Sequence, residues 1–97
     1  MVMTEDSVDQ PAKPRRRTTP EYPKEAVARG ITGYVDLRLL IDEAGSVSRA
    51  RVAQASPEGI FDTSALEAVR GWEFDPATYQ GEPVRSWAKL RMRFELN

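Results

Sequence analysis

The sequence predicts an α+β domain in which two helices pack on one face of a small three-stranded antiparallel sheet. Six glycines and seven prolines divide the 97 residues into short segments, as turns and helix ends require. Residues 34–42 and 84–96 alternate apolar and polar side chains, which is typical of strands with one buried face. Between residues 61 and 72 the apolar residues recur at helical spacing.

The first predicted element is a short helix between Pro23 and Gly30. Proline is tolerated at the first helical position because the N–H that it lacks has no acceptor within the helix. Glycine at the end supplies the positive φ with which many helices stop. A helix of only about two turns is unstable alone, so we expect it to pack on the sheet.

A β-hairpin follows, with strands over residues 34–42 and 46–55. The segment from Asp42 to Gly45 has an acid at its first position and glycine at its last, which favours a type I turn closed by a left-handed residue. The apolar phase of the return strand changes between Val47 and Ala50, and this change predicts a β-bulge.

The second helix is predicted to begin at Phe61-Asp62, where the carboxylate can accept a hydrogen bond from the helix N-terminus, and to end near Gly71. Trp72 continues its apolar stripe, so we expect this indole to be buried. A polar loop leads to the last strand. One parity of that strand is mainly apolar, and the other carries Arg85, Trp87, Lys89, Arg91 and Arg93.

Residues 1–19 are predicted to be a disordered tail, and residues 20–97 the folded domain. The tail is rich in charge, proline and small polar residues and has no apolar period. Its Arg15-Arg16-Arg17 run has two interpretations: a solvated linker, which the composition favours, or attraction to an anionic lipid or glycan surface.

Several short patterns occur in a fixed order from residue 20 to residue 97, and together they closely resemble the C-terminal domain of the TonB family. They are Tyr22-Pro23-x-x-Ala26, Gly30-x-x-Gly33-x-Val35, Asp42-x-x-Gly45-x-Val47, Phe61-Asp62-x-x-Ala65, Trp72-x-Phe74-x-Pro76-Ala77, Gly81-x-Pro83 and Phe94-x-Leu96. Two positions depart from the family pattern. Glu73 stands where a basic residue is common, and Thr18-Thr19 where some members carry glutamine.

The resemblance implies a periplasmic energy transducer of Gram-negative bacteria, driven by the proton-powered ExbB–ExbD complex. Its C-terminal domain would bind outer-membrane transporters that import siderophores, haem or cobalamin. The sequence has neither an apolar run of about eighteen residues nor a signal peptide. The resemblance therefore implies that an inner-membrane helix and a proline-rich spacer lie upstream, with Pro11, Pro14 and Pro20 at the end of the spacer.

The resemblance also places the last strand at an edge of the sheet, where unpaired N–H and C=O groups can accept an added strand. The transporter segment called the TonB box would pair there, and the same edge could pair with a second copy to form a homodimer. The predicted partner-binding residues are Arg85, Ser86, Trp87, Ala88, Lys89, Leu90, Arg91, Met92 and Arg93. Trp87 either covers the outer face of the sheet or is exposed for the partner.

The composition argues against other classes of function. The chain has no histidine and no cysteine, so the commonest general base and metal ligands are missing, and its glycines are too dispersed for a phosphate-binding loop. We therefore predict no catalytic residue, no cofactor and no metal. Fourteen basic against fifteen acidic residues also argue against nucleic-acid binding. The alternative is a TonB-like binding module of another envelope protein, such as a TolA-like bridge or a sensor.

Overall fold

A computed structural model describes residues 2–96 and contains seven strands and two helices in that range. A 3₁₀ turn over Glu5–Ser7 follows the first strand. In chain order the elements are β1 (Val2–Met3), β2 (Lys13–Arg16), α1 (Lys24–Arg29), β3 (Gly33–Ile41), β4 (Val47–Ser56), α2 (Asp62–Arg70), β5 (Glu73–Asp75), β6 (Ala77–Tyr79) and β7 (Glu82–Phe94).

The main sheet has the strand order β1-β7-β3-β4, and β6 pairs with the first residues of β7. Its centre is the antiparallel trio β4-β3-β7, as the sequence predicts. The full sheet nevertheless has five strands and is mixed, because β1 runs parallel to β7. The prediction of a purely three-stranded antiparallel sheet is therefore wrong. The additional strands have only two or three residues, too few to show a period in the sequence.

Both helices contribute side chains to a core on one face of the sheet. The core takes Val35, Leu37 and Leu39 from β3 and Met92 and Phe94 from β7, all of the predicted apolar parity. Phe61 stacks on Phe94 with ring centroids 4.4 Å apart, and Tyr22 meets both rings edge-on. Aromatic contacts of this kind add to the stabilisation from burial. They join the segment before α1, the start of α2 and the end of β7.

The hairpin has the predicted turn and bulge. The Asp42 carboxylate accepts the N–H groups of Ala44 and Ser46, and Gly45 has a φ of 88°. Glycine is required there for a second reason, since a Cβ would collide with the carbonyl of Phe74. Leu40 pairs with Arg49 and Ile41 pairs with Val47, so Ser48 is left between them as the bulged residue. A second register shift occurs near Ala53.

The start of α2 differs from the prediction. Asp62 is the first helical residue, and its carboxylate accepts the N–H of Gly59 in the preceding loop. It does not cap the helix because it already lies inside the first turn. Trp72 is buried, as predicted, and its indole N–H donates to the carbonyl of Thr18.

The N-terminal segment also differs from the disordered tail that the composition predicts. In the structure β1 pairs with β7, and β2 pairs with β5 in a separate two-stranded sheet. These pairings use main-chain atoms, which any polar sequence can supply, so they leave no apolar pattern in the sequence.

Candidate functional site

Strand β7 has two in-plane sides with different surroundings. Its inner side pairs with β3 without a break from Gly33↔Phe94 to Ile41↔Ser86. The N–H of Lys89 donates to the carboxylate of Glu5 at 2.6 Å, so this N–H points away from β3. Because main-chain groups two residues apart in a strand share a direction, the odd-numbered residues of β7 direct N–H and C=O outward.

This parity divides the nine predicted partner-binding residues into two sets. The even-numbered residues face the core and direct their main chain to β3; Ser86 and Met92 are buried, and Ala88 and Leu90 are half-buried. They cannot offer main-chain bonds to an added strand. The odd-numbered residues can, and all except the half-buried Trp87 are exposed: Arg85, Trp87, Lys89, Arg91 and Arg93.

Arg91 is held on the outer face of the sheet by two neighbours on β3. Its guanidinium donates two hydrogen bonds to the Asp36 carboxylate, at 2.7 and 2.9 Å, and lies 3.9 Å from the centroid of the Tyr34 ring. The hydrogen bonds from Arg91 hold the pKa of Asp36 below its ordinary value, and they raise the pKa of Arg91. This side chain is therefore fixed by its own sheet.

The other odd-numbered side chains are placed differently. Trp87 lies opposite Leu40, an outer-face residue only 7% exposed, so the indole is positioned to cover part of this face. Arg85 approaches Glu43 at 3.7 Å. Lys89 and Arg93 form no ion pair with any of residues 2–96. These two cations are the ones available to a partner along the edge.

The outer side of β7 is not the fully open edge that the resemblance implies. The parallel strand β1 pairs with Arg85 and Ser86 on this side. Beyond β1, the Glu5 carboxylate accepts the hydrogen bond from the N–H of Lys89. From residue 90 to residue 94, no described strand pairs with the outer side of β7. The edge is therefore covered near residues 85–89 and open near its end.

Comparison with known proteins identifies the family. A sequence model of the family described as Gram-negative bacterial TonB protein C-terminal matches residues 18–96. The chain belongs to this family. The predicted resemblance is thus confirmed over nearly all of the segment in which its patterns occur.

Individual relatives agree with this assignment. The chain is 35% identical over 89 residues to Protein TonB of Vibrio cholerae, covering 92% of this chain and 36% of that protein. It is 36% identical over 78 residues to Protein tonB2 of Pseudomonas aeruginosa, covering 80% of this chain and 29% of that protein. This TonB-family chain thus spans about a third of the length of the curated relatives it matches.

Solved structures of relatives have the same fold. The solution NMR structure of the Pseudomonas aeruginosa TonB CTD aligns with a TM-score of 0.75 at 31% identity, covering 92% of this chain and 90% of that one. The tonb2 protein from Vibrio anguillarum aligns with a TM-score of 0.66 at 29% identity, covering 92% of this chain and 85% of that one. The two helices and the mixed sheet of this chain therefore have the architecture of the TonB C-terminal domain.

The two departures from the TonB pattern both help to attach the N-terminal segment to the domain. Glu73 approaches Arg15 at 3.3 Å and Arg16 at 3.7 Å. The Thr18 hydroxyl donates to the carbonyl of Ala68, close to Trp72. Residues 13–18 are thereby attached to the end of α2 and to β5.

Sequence reasoning missed the part that Glu5 and β1 play at the edge of β7. Two strand residues and one carboxylate give no periodic signal, and the pairing is visible only once the chain is folded. Within residues 2–96 no three carboxylates come close enough to hold a metal ion. Among the same residues, no helix has the length and apolar character needed to cross a membrane.

Proposed function

We propose that this chain is the receptor-binding C-terminal domain of a TonB-type energy transducer. In this proposal it couples the proton motive force of the inner membrane to outer-membrane transporters that take up siderophores, haem or cobalamin. The domain works in the periplasm, and an upstream region anchors the protein in the inner membrane and contacts ExbB and ExbD. Its role is mechanical transfer between proteins, with no catalytic step.

The transporter would add a strand, the TonB box, to the outer side of β7. The observation on which this rests is the outward direction of the odd-numbered main-chain groups from Arg85 to Arg93, on a domain of the TonB family. Such groups supply affinity without demanding one peptide sequence, so one transducer can serve several transporters. Lys89 and Arg93, which have no ion-pair partner among residues 2–96, would favour acidic neighbours of the added strand.

The geometry suits a domain that must transmit a pull. A strand added beside β7 and pulled along its own axis loads several hydrogen bonds in shear at the same time. On its other side β7 is joined to β3 over nine residue pairs, from Gly33↔Phe94 to Ile41↔Ser86. The load would therefore pass from the added strand into the centre of the sheet.

Proline substitution at the open end of the edge tests strand addition. Arg91→Pro and Arg93→Pro each remove an outward N–H. We expect both variants to bind a synthetic peptide copying a transporter's N-terminal TonB-box segment at least about fivefold more weakly, because one main-chain bond contributes roughly 1 kcal/mol. Isothermal titration calorimetry measures the dissociation constants.

The matched controls are Arg91→Ala and Arg93→Ala, which remove the same side chains and keep the N–H. Strand addition predicts that each proline variant binds more weakly than the alanine variant at the same position, while both stay folded by circular dichroism. Equal affinities within each pair would reject main-chain pairing along β7 and leave recognition to side chains.

A homodimer formed through the same side of β7 belongs to this proposal as well. Two copies could pair edge to edge over residues 90–94, where no described strand covers β7. Pairing over so few residues favours monomers at low concentration.

A further inference from the structure

We infer that residues 2–7 are an internal competitor for the strand that the domain binds. This inference rests on the proposed function and adds a level of regulation to it. The segment occupies the outer side of β7 in the free protein, and a partner strand must displace it before pairing from residue 85 onward.

The first support is the position of β1. Val2 pairs with Arg85 and Met3 with Ser86, on the outer side of β7. This is the same row of main-chain groups that an added strand would use. A two-residue strand has few hydrogen bonds to lose, so it can leave the edge at a small cost in free energy.

The second support is the Glu5 carboxylate. After β1 the chain turns through Glu5–Ser7, and the turn is closed by the hydrogen bond from the Ser7 N–H to the Thr4 carbonyl, 3.1 Å. The turn brings Glu5 to 2.6 Å from the N–H of Lys89, where the next main-chain acceptor of an added strand would lie. A charged acceptor on a main-chain donor makes a stronger hydrogen bond than a neutral one.

The third support is charge complementarity. The acidic pair Glu5 and Asp6 lines one open groove together with Arg38, Trp87 and Lys89 of the outer sheet face. Arg38 and Lys89 lie directly opposite one another, and Arg51 lies opposite Arg38 on the other side. Like charges opposite one another across strands repel, so the acidic turn relieves a repulsion that the sheet alone would keep.

The segment is also anchored behind the turn. The N–H groups of Asp9 and Gln10 donate to the carbonyl of Thr78, and the N–H of Thr78 donates back to Gln10. Residues 2–7 can therefore leave β7 while residues 9 and 10 hold them nearby. A tethered competitor acts at a high effective concentration. The apparent affinity for any partner is then the intrinsic affinity multiplied by the fraction of molecules in which the edge is free.

The test uses the full chain with Glu5→Ala, which removes the acceptor of the Lys89 N–H, and Met3→Pro, which removes an N–H of β1. Glu67→Ala is the matched control because Glu67 is exposed on α2 and its loss changes the net charge equally. Amide hydrogen exchange at Lys89 reports whether the segment is in place. Calorimetric titration with the TonB-box peptide reports the affinity.

We expect Lys89 to be protected in the parent chain and in Glu67→Ala, and to exchange faster in the other two variants. The same two variants should bind the peptide about three- to tenfold more tightly, as expected if the edge is mostly occupied in the parent. A Lys89 amide that is unprotected in the parent would overturn the inference. So would faster exchange at Lys89 with an unchanged affinity for the peptide, even though the proposed function would stand.

A peptide that binds none of the variants would reject the proposed function, and with it any competition for that peptide. The two failures are thus distinguishable, because one leaves peptide binding intact and the other removes it. Equally tighter binding in Glu67→Ala and Glu5→Ala would assign the effect to net charge and would also overturn the inference.

Discussion

The two in-plane sides of β7 show how one strand can serve two purposes. The inner side is bonded to β3 along nine residue pairs, and the side chains of the same parity include the buried Met92 and Phe94. The outer side is covered in pieces, by β1 and by the Glu5 carboxylate, and its end is open. The even-numbered residues therefore hold the fold together, whereas the odd-numbered residues have only a few short main-chain contacts.

The two sides also differ in the range of the contacts that cover them. Inner contacts belong to the main sheet and to a core shared with both helices. Outer contacts come from residues 2–7, which reach β7 across more than eighty positions of the chain. Short pairings of this kind open at a lower free energy than the central ladder, which is what an exchangeable site needs.

The largest expected effect is a difference between neighbouring proline substitutions. Ala88→Pro removes an N–H directed to β3 in the middle of the sheet, where proline is not tolerated, and should cost about 3 kcal/mol or more of unfolding free energy. Lys89→Pro removes an outward N–H bonded only to the Glu5 carboxylate and should cost no more than about 1 kcal/mol. Urea denaturation of both variants measures the difference.

Ala88 is a suitable position because its side chain is small, so proline there removes little apolar contact. Ala88→Gly serves as the control for the loss of that methyl group. Equal destabilisation by Ala88→Pro and Lys89→Pro would mean that both sides of β7 contribute equally to the fold, contrary to the comparison.

Much of this comparison could be predicted from the sequence. The alternation from Val84 to Phe94 identifies which side chains face the core, because side-chain parity follows directly from the pattern. It does not show which in-plane side of the strand is paired. That depends on where β3 lies, and strand order is a property of the whole fold.

The pairings of the short strands were beyond prediction for a different reason. Elements such as β1, β5 and β6 have two or three residues, and so short a segment has no measurable period. Their pairing is decided by tertiary neighbours, which override local preference in strands. The same holds for residues 13–16, which the composition predicts to be disordered and which pair with β5 in the structure.

A smaller effect is expected at the ion pair across the outer face, between Asp36 on β3 and Arg91 on β7. Hydrogen bonds from Arg91 lower the pKa of Asp36 in the folded state, so the unfolded chain binds more protons at acidic pH. The contribution to stability is therefore present above the ordinary aspartate pKa, about 3.9, and is lost as the pH falls through the lower folded value.

Asp36→Asn should remove this pH dependence. We expect the parent to be more stable than Asp36→Asn near neutral pH and the difference to shrink on acidification, as measured by urea midpoints at several pH values. Asp75→Asn, at an exposed position of β5, is the control for a lost carboxylate without this ion pair. A stability difference that stayed constant down to the acid transition would contradict the role of Arg91. High salt should weaken the effect only partly, since the two groups are in direct contact.

The smallest expected effect concerns the attachment of the N-terminal segment that covers the outer side. Glu73 pairs with Arg15 and Arg16, and all three side chains are about half exposed or more. Exposed pairs contribute little, so Glu73→Lys should lower the stability by no more than about 1 kcal/mol.

Glu73→Lys should nevertheless loosen β2, because a basic residue there repels both arginines. Amide exchange should accelerate at residues 13–16 and stay unchanged in β3, with Glu73→Gln giving a smaller acceleration. Unchanged exchange at residues 13–16 would show that the main-chain pairing with β5 alone holds the segment, and that Glu73 has no part in retaining the cover of β7.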